Sequence, residues 1–233
     1  SATGDWLGLL AISLLAIRLG AGNEGAALSL VLAARIVPGF FFGPVAGVLV
    51  DRWDRKRVMV TCDIGRAAVM VILPFVNTVI GLFLASLLLE AFTMMWSPAK
   101  EASVPNLVPK TQLATANSLS LAAAYGTFPL GAGLMALFGW LSTALFDSSW
   151  ADNVRLDDMG LAFYANALSF LVTAYLITTL SLPARPREVR EAARHRRARL
   201  ADPIAELREG WKFIFVNPVV RTVNSGLATG FIG

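Results

Sequence analysis

Two acidic residues lie at or within long runs of apolar residues. Asp5 stands at the start of a run from about Trp6 to Leu19, and Glu90 follows three leucines in the run Thr78–Trp96. An apolar environment disfavours the charged form of a carboxyl group, so such a residue can take up and release a proton. The alternative is a structural role, in an ion pair or a hydrogen bond to a neighbouring hydroxyl group. We predict that Asp5 and Glu90 bind and release the protons that are coupled to the activity of the protein.

Three more charged residues share these apolar surroundings. Arg35 lies in the run Ala26–Val50, where it could either balance one of the two carboxylates or contact an anionic substrate. We favour the pairing. Asp63 and Arg66 are three residues apart and therefore share one face of a helix, which predicts a local ion pair rather than a substrate site.

The sequence GVLVDRWDRKR combines a glycine and an acid with a dense basic turn. Gly47 and Asp51 are followed by basic residues at Arg52, Arg55, Lys56 and Arg57. A requirement for positive charge on one side of a membrane would explain the basic residues but not Gly47 and Asp51. A carboxylate can meet a helix N-terminus while arginines hold carboxylates or lipid phosphates, so we predict an electrostatic latch.

Glycine and proline recur at helix-compatible spacing in two of the apolar runs. Small residues four apart let helices approach closely, and prolines permit bending. A packing seam and a hinge are both compatible with the pattern. The residues that we assign to packing or hinges are Gly39, Gly43, Pro44, Gly126, Pro129, Gly131 and Gly133.

The elements that position these residues are long apolar helices. Of the 233 residues, 56% are hydrophobic and 15% are charged, against about 25% charged in ordinary soluble domains. This composition is unlike that of a disordered chain or a nucleic-acid-binding module, and the single cysteine rules out an internal disulfide. A membrane crossing needs about 20 helical residues. The chain has seven apolar runs, namely Trp6–Leu19, Ala26–Val50, Val58–Asn77, Thr78–Trp96, Leu113–Phe146, Leu161–Leu182 and one that begins near Val219.

We therefore predict an all-α polytopic membrane protein, built from residues 1–182 as a six-helix bundle, residues 183–218 as a basic linker with an amphipathic helix, and residues 219–233 as the start of a seventh helix. Successive loops between the runs are basic and acidic in turn. Because basic loops stay in the cytoplasm, this alternation predicts a cytoplasmic N-terminus and a cytoplasmic linker. The first and last runs are short for a crossing. We expect a fragment that is truncated in both of these helices.

The basic segment 183–200 follows the sixth run directly. Anionic lipid headgroups are therefore a better expected partner than nucleic acid. The sequence has one histidine and one cysteine and contains no metal-ligand cluster, phosphate-binding loop or nucleophile motif. We expect no cofactor, no metal and no enzymatic activity.

The basic motif resembles the signature loop of the major facilitator superfamily, Gly-x-x-x-Asp-Arg-x-x-Arg-Lys-x, with Asp54 where the family has a second glycine. The segments WSPAKEASVPNLVPKTQLATANS (96–118) and EGWKFIFVNPVVR (209–221) are similar to the macrolide-efflux and enterobactin-exporter branch. Gly126, Pro129, Gly131 and Gly133 resemble the glycine–proline motif of the family's exporters.

The resemblance implies two six-helix halves, each of two inverted three-helix repeats, and a latch that closes the cytoplasmic side against the absent C-terminal half. It also implies a proton-coupled exporter of amphipathic small molecules in the inner cell membrane, working by alternating access. Two alternatives stay open at this point. The helices could anchor a C-terminal catalytic domain, or the protein could be a sensor that does not transport.

Overall fold

A computed structural model describes residues 2–50, 53–145 and 157–180, together with residues 216–218 and 222. The chain divides into two compact units, Ser1–Leu182 and Pro183–Gly233, and the first of them contains the features described below. Nearly all of the predicted linker and seventh helix lies outside the described residues.

The described part of the first unit is helical, and it contains no strand. The prediction of an all-α fold is confirmed. Its helices are α1 (Ala2–Leu19), α2 (Glu24–Val50), α3 (Arg55–Ile72), α4 (Val79–Glu101), α5 (Leu113–Gly126), α6 (Phe128–Leu145) and α7 (Asp158–Thr179).

Five segments in the described ranges are long and apolar enough to cross a membrane. They are Ala2–Leu19, Arg55–Phe75, Val79–Glu101, Leu113–Ser142 and Met159–Thr179. Helix α2 is 27 residues long, carries only Glu24 and Arg35 as charged residues, and continues without interruption through Pro38 and Pro44.

Short polar side chains begin three of the helices. Asp54 accepts a hydrogen bond from the backbone N–H of Arg57 at the start of α3 (2.9 Å). Thr78 and Asp157 do the same at the starts of α4 and α7. Each cap satisfies a backbone donor that the first helical turn leaves without a partner. The departure from the family motif at Asp54 therefore supplies the N-cap of α3.

The core of the bundle lies where α1, α3 and α7 meet. Phe163 and Phe170 of α7 are among its largest fully buried side chains. The amide of Asn166 is also fully buried, and it fills the space beside Gly4 and Gly8 of α1. The two glycines, four residues apart, let α1 approach α7 closely enough to enclose a polar side chain.

The single run predicted at Leu113–Phe146 is divided into α5 and α6 at Thr127. Pro129 explains the break, because it has no N–H to donate to the carbonyl of Tyr125 and its ring clashes with that carbonyl in a regular helix. The hydroxyl group of Thr127 donates to the carbonyl of Ala123 (2.8 Å) in the same turn. The predicted run still forms one candidate membrane span, Leu113–Ser142, and Pro129 is among the residues that we assigned to packing or hinges.

Candidate functional site: an intramembrane charge network

The centre of the site is an ion pair between Asp63 and Arg66 on α3. The two side chains are in direct hydrogen-bonded contact, and the residues are 0% and 3% exposed. Trp96 of α4 donates its indole N–H to the second carboxylate oxygen of Asp63 (3.2 Å). A buried carboxylate is thus paired with both a cation and a neutral donor, which offsets its loss of hydration.

The Arg66 guanidinium is enclosed by aromatic rings. Its central carbon lies 4.8 Å from the ring centre of Trp96 and 4.4 Å from that of Phe170 on α7. A cation over an aromatic face is stabilised by the ring quadrupole. One Nη atom of Arg66 lies 4.0 Å from Oδ1 of Asp5 on α1, so this side chain joins charges and rings from four helices.

Arg35 and Glu90 extend the network to α2 and α4. Arg35 lies within electrostatic range of Glu90, Asp5 and Arg66. A Cβ atom built on Gly39 of α2 would lie 3.7 Å from Oε1 of Glu90, an ordinary contact distance, so the Glu90 carboxylate lies close to α2 at this position. All five charged residues singled out from the sequence within apolar runs therefore belong to one network.

Sequence reasoning did not identify Trp96 or Phe170 as members of this network. Aromatic residues in a membrane helix usually serve for packing, and nothing local distinguishes these two. The available signal was the Asp63–Arg66 pair itself, since a buried ion pair needs further donors and polarisable neighbours.

The basic motif donates to the ends of two other helices. Arg55 donates to the backbone carbonyl of Ala102 at the end of α4. Lys56 Nζ donates to the carbonyls of Thr178 (2.7 Å) and Leu180 (2.8 Å) at the end of α7. The last carbonyls of a helix have no partner within the helix and carry partial negative charge, so a cation stabilises them. Asp51 and Arg52 lie outside the described residues, as do the surroundings of Gly43, Pro44 and Gly47.

In the part of the chain that the structure describes, Arg55 and Lys56 tie the start of α3 to the ends of α4 and α7.

The glycines of α5 and α6 differ in their surroundings. A Cβ atom on Gly131 would lie 2.9 Å from Cβ of Trp6 and 3.2 Å from the backbone nitrogen of Leu7 on α1. At Gly126 and Gly133 the same position is open, with no atom within 4 Å. Gly131 is therefore the member of the glycine–proline motif that allows close packing within this unit.

Trp6 is a third residue that sequence reasoning missed. Its indole Nε1 donates to the carbonyl of Ala124 on α5 (2.6 Å), and its ring meets that of Phe128 edge-on at 5.2 Å. Trp6 lies next to Asp5 in the sequence, and a partly buried tryptophan generally finds a partner for its N–H. The position next to Asp5 and this tendency of tryptophan could have identified Trp6 from the sequence.

The titratable groups of the network are three carboxylates, those of Asp5, Asp63 and Glu90, beside the guanidinium groups of Arg35 and Arg66. Among the described residues, no group of three or more His, Cys, Asp and Glu side chains could hold a metal ion.

The match to known families decides what kind of protein this network serves. The family model described as Major Facilitator Superfamily matches residues 1–233. The chain belongs to the Major Facilitator Superfamily.

Several relatives of this Major Facilitator Superfamily chain carry names that include a transport role. The uncharacterized MFS-type transporter YfiS of Bacillus subtilis is 33% identical over 52% of this chain and 28% of its own length. Macrolide efflux protein A of Streptococcus pyogenes is 36% identical over 39% of this chain and 24% of its own length. The putative bacilysin exporter BacE of Bacillus amyloliquefaciens is 30% identical over 70% of this chain and 38% of its own length. Each match spans less than half of the relative, and no solved structure matches the chain significantly.

Membership of the Major Facilitator Superfamily, together with the apolar helices, identifies a multi-pass membrane protein of a transporter family. Four members of the charge network, Asp5, Asp63, Arg66 and Glu90, accordingly lie in segments that are long and apolar enough to cross a membrane. Ionisable side chains in such segments are costly and are characteristic of substrate and ion pathways.

Proposed function

We propose that the complete protein is a secondary active transporter that exports amphipathic small molecules by alternating access, in exchange for protons. The observation that carries this proposal is the network that joins Asp5, Arg35, Asp63, Arg66 and Glu90 across four helices. A fixed structural pair would need only two of these charges. A network with three carboxylates and two arginines can redistribute charge when one carboxylate gains a proton.

Within the network we assign proton coupling to Asp5 and Glu90. Asp63 is fully buried and is held by Arg66 and Trp96, which favours a fixed structural role. The Asp5 and Glu90 residues are both partly exposed, so protons can reach them. Moving one charge through the membrane potential supplies about 2.3 kcal/mol per 100 mV, a useful driving force for export.

The relatives support export rather than import. Macrolide efflux protein A and the putative bacilysin exporter are both named for outward movement of a small molecule. The glycine–proline motif of the fifth predicted span supports the same direction. The substrate class that we propose is an amphipathic molecule of the drug or siderophore type.

We further propose that Gly47, Asp51 and the basic residues Arg52–Arg57 form a latch on the cytoplasmic side of the cell membrane, against a second six-helix half in the complete protein. The contacts of Arg55 and Lys56 to the ends of α4 and α7 support this assignment. They join helices that must move as one body if the two halves rock against each other.

The experiment is substrate exchange and net efflux with the complete protein in proteoliposomes. The panel contains a macrolide, a siderophore and a peptide antibiotic, each with and without an imposed proton gradient. We expect accumulation of one class that depends on the gradient, together with acidification of the opposite compartment. Binding without any flux, for every member of the panel, would support a sensor and contradict transport.

A further inference from the structure

Trp6 contacts both sides of the break in the fifth predicted span. Its N–H donates to the Ala124 carbonyl on α5 (2.6 Å). On α6, its ring meets Phe128, and its Cβ packs so closely on Gly131 that an added methyl group would lie 2.9 Å away. One side chain of α1 therefore fixes the relative positions of two helical segments that the backbone joins only through Thr127.

The helical hydrogen-bond pattern is interrupted at the break. Pro129 cannot donate to the Tyr125 carbonyl, which accepts instead from the backbone N–H of Thr127. Within a bilayer, polar backbone groups have to be satisfied by protein because no water is present. The indole of Trp6 adds a hydrogen bond from another helix to the neighbouring Ala124 carbonyl, which ties α1 to the end of α5.

The preceding residue of α1 contacts the charge network. Oδ1 of Asp5 lies 4.0 Å from Arg66, and Arg66 is itself held by Asp63. Because Asp5 and Trp6 are consecutive in one helix, a displacement of α1 that separates Asp5 from Arg66 also displaces Trp6 from Ala124.

We propose that Trp6 is a positioning residue of the transport cycle, which couples movement of α1 to the angle between α5 and α6. This inference rests on the proposed transport function. In the conformation described here, Trp6 holds the break at one angle, and movement of α1 releases it. Trp6 acts through the backbone of Ala124 and needs no contact with the substrate.

The test measures the angle at the break directly, without a substrate. Spin labels are placed at Leu121 on α5 and Leu137 on α6, whose residues are 59% and 47% exposed, in the complete protein with other cysteines removed. In lipid nanodiscs, pulsed electron resonance gives the populations of the distances between the labels. The measurement is made for the wild type, Trp6→Phe, Pro129→Ala and the double variant.

Trp6→Phe keeps a ring beside Phe128 and removes the N–H donor. In one population Trp6 holds the break at the angle described above, and in the other the break is released. Loss of one net hydrogen bond should change the ratio of these two populations about fivefold. Pro129→Ala restores the missing N–H and favours a continuous helix, so Trp6→Phe should add nothing in that background. An unchanged ratio in Trp6→Phe, or an equal change in both backgrounds, would overturn the proposal.

A second pair of variants covers a Trp6→Phe protein that does not fold. Gly131→Ala pushes against Trp6, whereas Gly133→Ala adds the same methyl group in open space. The first should shift the distance populations and the second should not. Equal behaviour of the two variants would overturn the proposal.

Macrolide efflux by the same samples separates the two proposals. Where the wild type exports, Trp6→Phe should lower Vmax about fivefold and leave Kd for the macrolide unchanged, in keeping with the loss of one net hydrogen bond. A shift in the distance populations with an unchanged Vmax would overturn a role in the cycle. Absence of flux in the wild type across the whole substrate panel contradicts the proposed function, and with it a role of Trp6 in transport.

Discussion

Trp96 of α4 donates its indole N–H to Oδ2 of Asp63 across 3.2 Å, while the face of the same ring lies 4.8 Å from the guanidinium carbon of Arg66. One aromatic side chain thus contacts both members of a buried ion pair, through its polar edge and its π face. The pair is held between α3 and α4, and removal of either charge leaves the other in an apolar environment.

The first prediction concerns the stability of this pair. Asp63→Asn leaves Arg66 buried without the carboxylate that it contacts directly, and we expect the free energy of unfolding to fall by about 3 kcal/mol. Titration with SDS in mixed micelles measures this free energy of unfolding. The control is the double variant Asp63→Leu with Arg66→Met, which buries no charge and should lose less than Asp63→Asn alone. A larger loss in the double variant would contradict this account of the pair.

The second prediction concerns proton coupling by Glu90. Glu90→Gln removes the titrating group and keeps its shape, so efflux driven by a proton gradient should fall about 100-fold, the lower end of the range typical of a lost acid–base group. Exchange of labelled for unlabelled substrate should persist, because it needs no net proton movement. Glu101→Gln at the exposed end of the same helix is the matched control. Gradient-driven efflux that is intact in Glu90→Gln would remove Glu90 from the coupling residues.

The sequence was sufficient to predict the helices because long apolar runs have few structural alternatives. The described bounds of α3, α4 and α7 agree with the predicted runs to within a few residues. A packing or hinge role was predicted equally for Pro44 and Pro129, but the chain breaks at Thr127, just before Pro129, and continues as a helix through Pro44. A proline alone does not decide whether a helix is continuous or broken, because tertiary contacts such as that of Trp6 with Ala124 also contribute.

The charges of the candidate site were found from the sequence, whereas their neighbours were not. An ionisable residue in an apolar run is conspicuous, and so is a pair three residues apart. Trp96 and Phe170 are separated from Asp63 by 33 and 107 residues, and their roles depend on how α3, α4 and α7 pack. The partners of Lys56 are backbone carbonyls, which no side-chain motif reveals.

The third prediction concerns the contact of Lys56 with the end of α7. Lys56→Met keeps most of the aliphatic stem and removes two hydrogen bonds to the carbonyls of Thr178 and Leu180. We expect a loss of about 1 kcal/mol in unfolding free energy, because the contact is exposed to solvent. Arg57→Met, at the exposed neighbouring residue, is the control for loss of one positive charge. Equal losses in the two variants would show that overall charge, and not the helix-end contact, is responsible.

The fourth prediction concerns the close approach of α1 to α7. A methyl group on Gly8 would collide with the amide of Asn166 and lie 3.0 Å from Cε of Met70. Since Asn166 is fully buried, Gly8→Ala should lower the unfolding free energy by about 1–3 kcal/mol. Gly25→Ala in the first turn of α2 meets no atom within 4 Å and should be neutral or slightly stabilising. Thermal unfolding in detergent compares the two, and similar melting temperatures would argue against the packing described here.

The fifth prediction concerns the proposed cytoplasmic latch. Asp51→Asn removes the carboxylate charge that the latch requires, so transport by the complete protein should slow while substrate binding stays measurable. Asp54→Asn is the matched control, because asparagine keeps the side-chain oxygen that accepts from the backbone N–H of Arg57 at the start of α3. Initial rates in proteoliposomes and equilibrium binding separate the two effects. If Asp51→Asn transports at the wild-type rate, the carboxylate has no part in gating, and Arg55 and Lys56 keep a structural role through their contacts with the ends of α4 and α7.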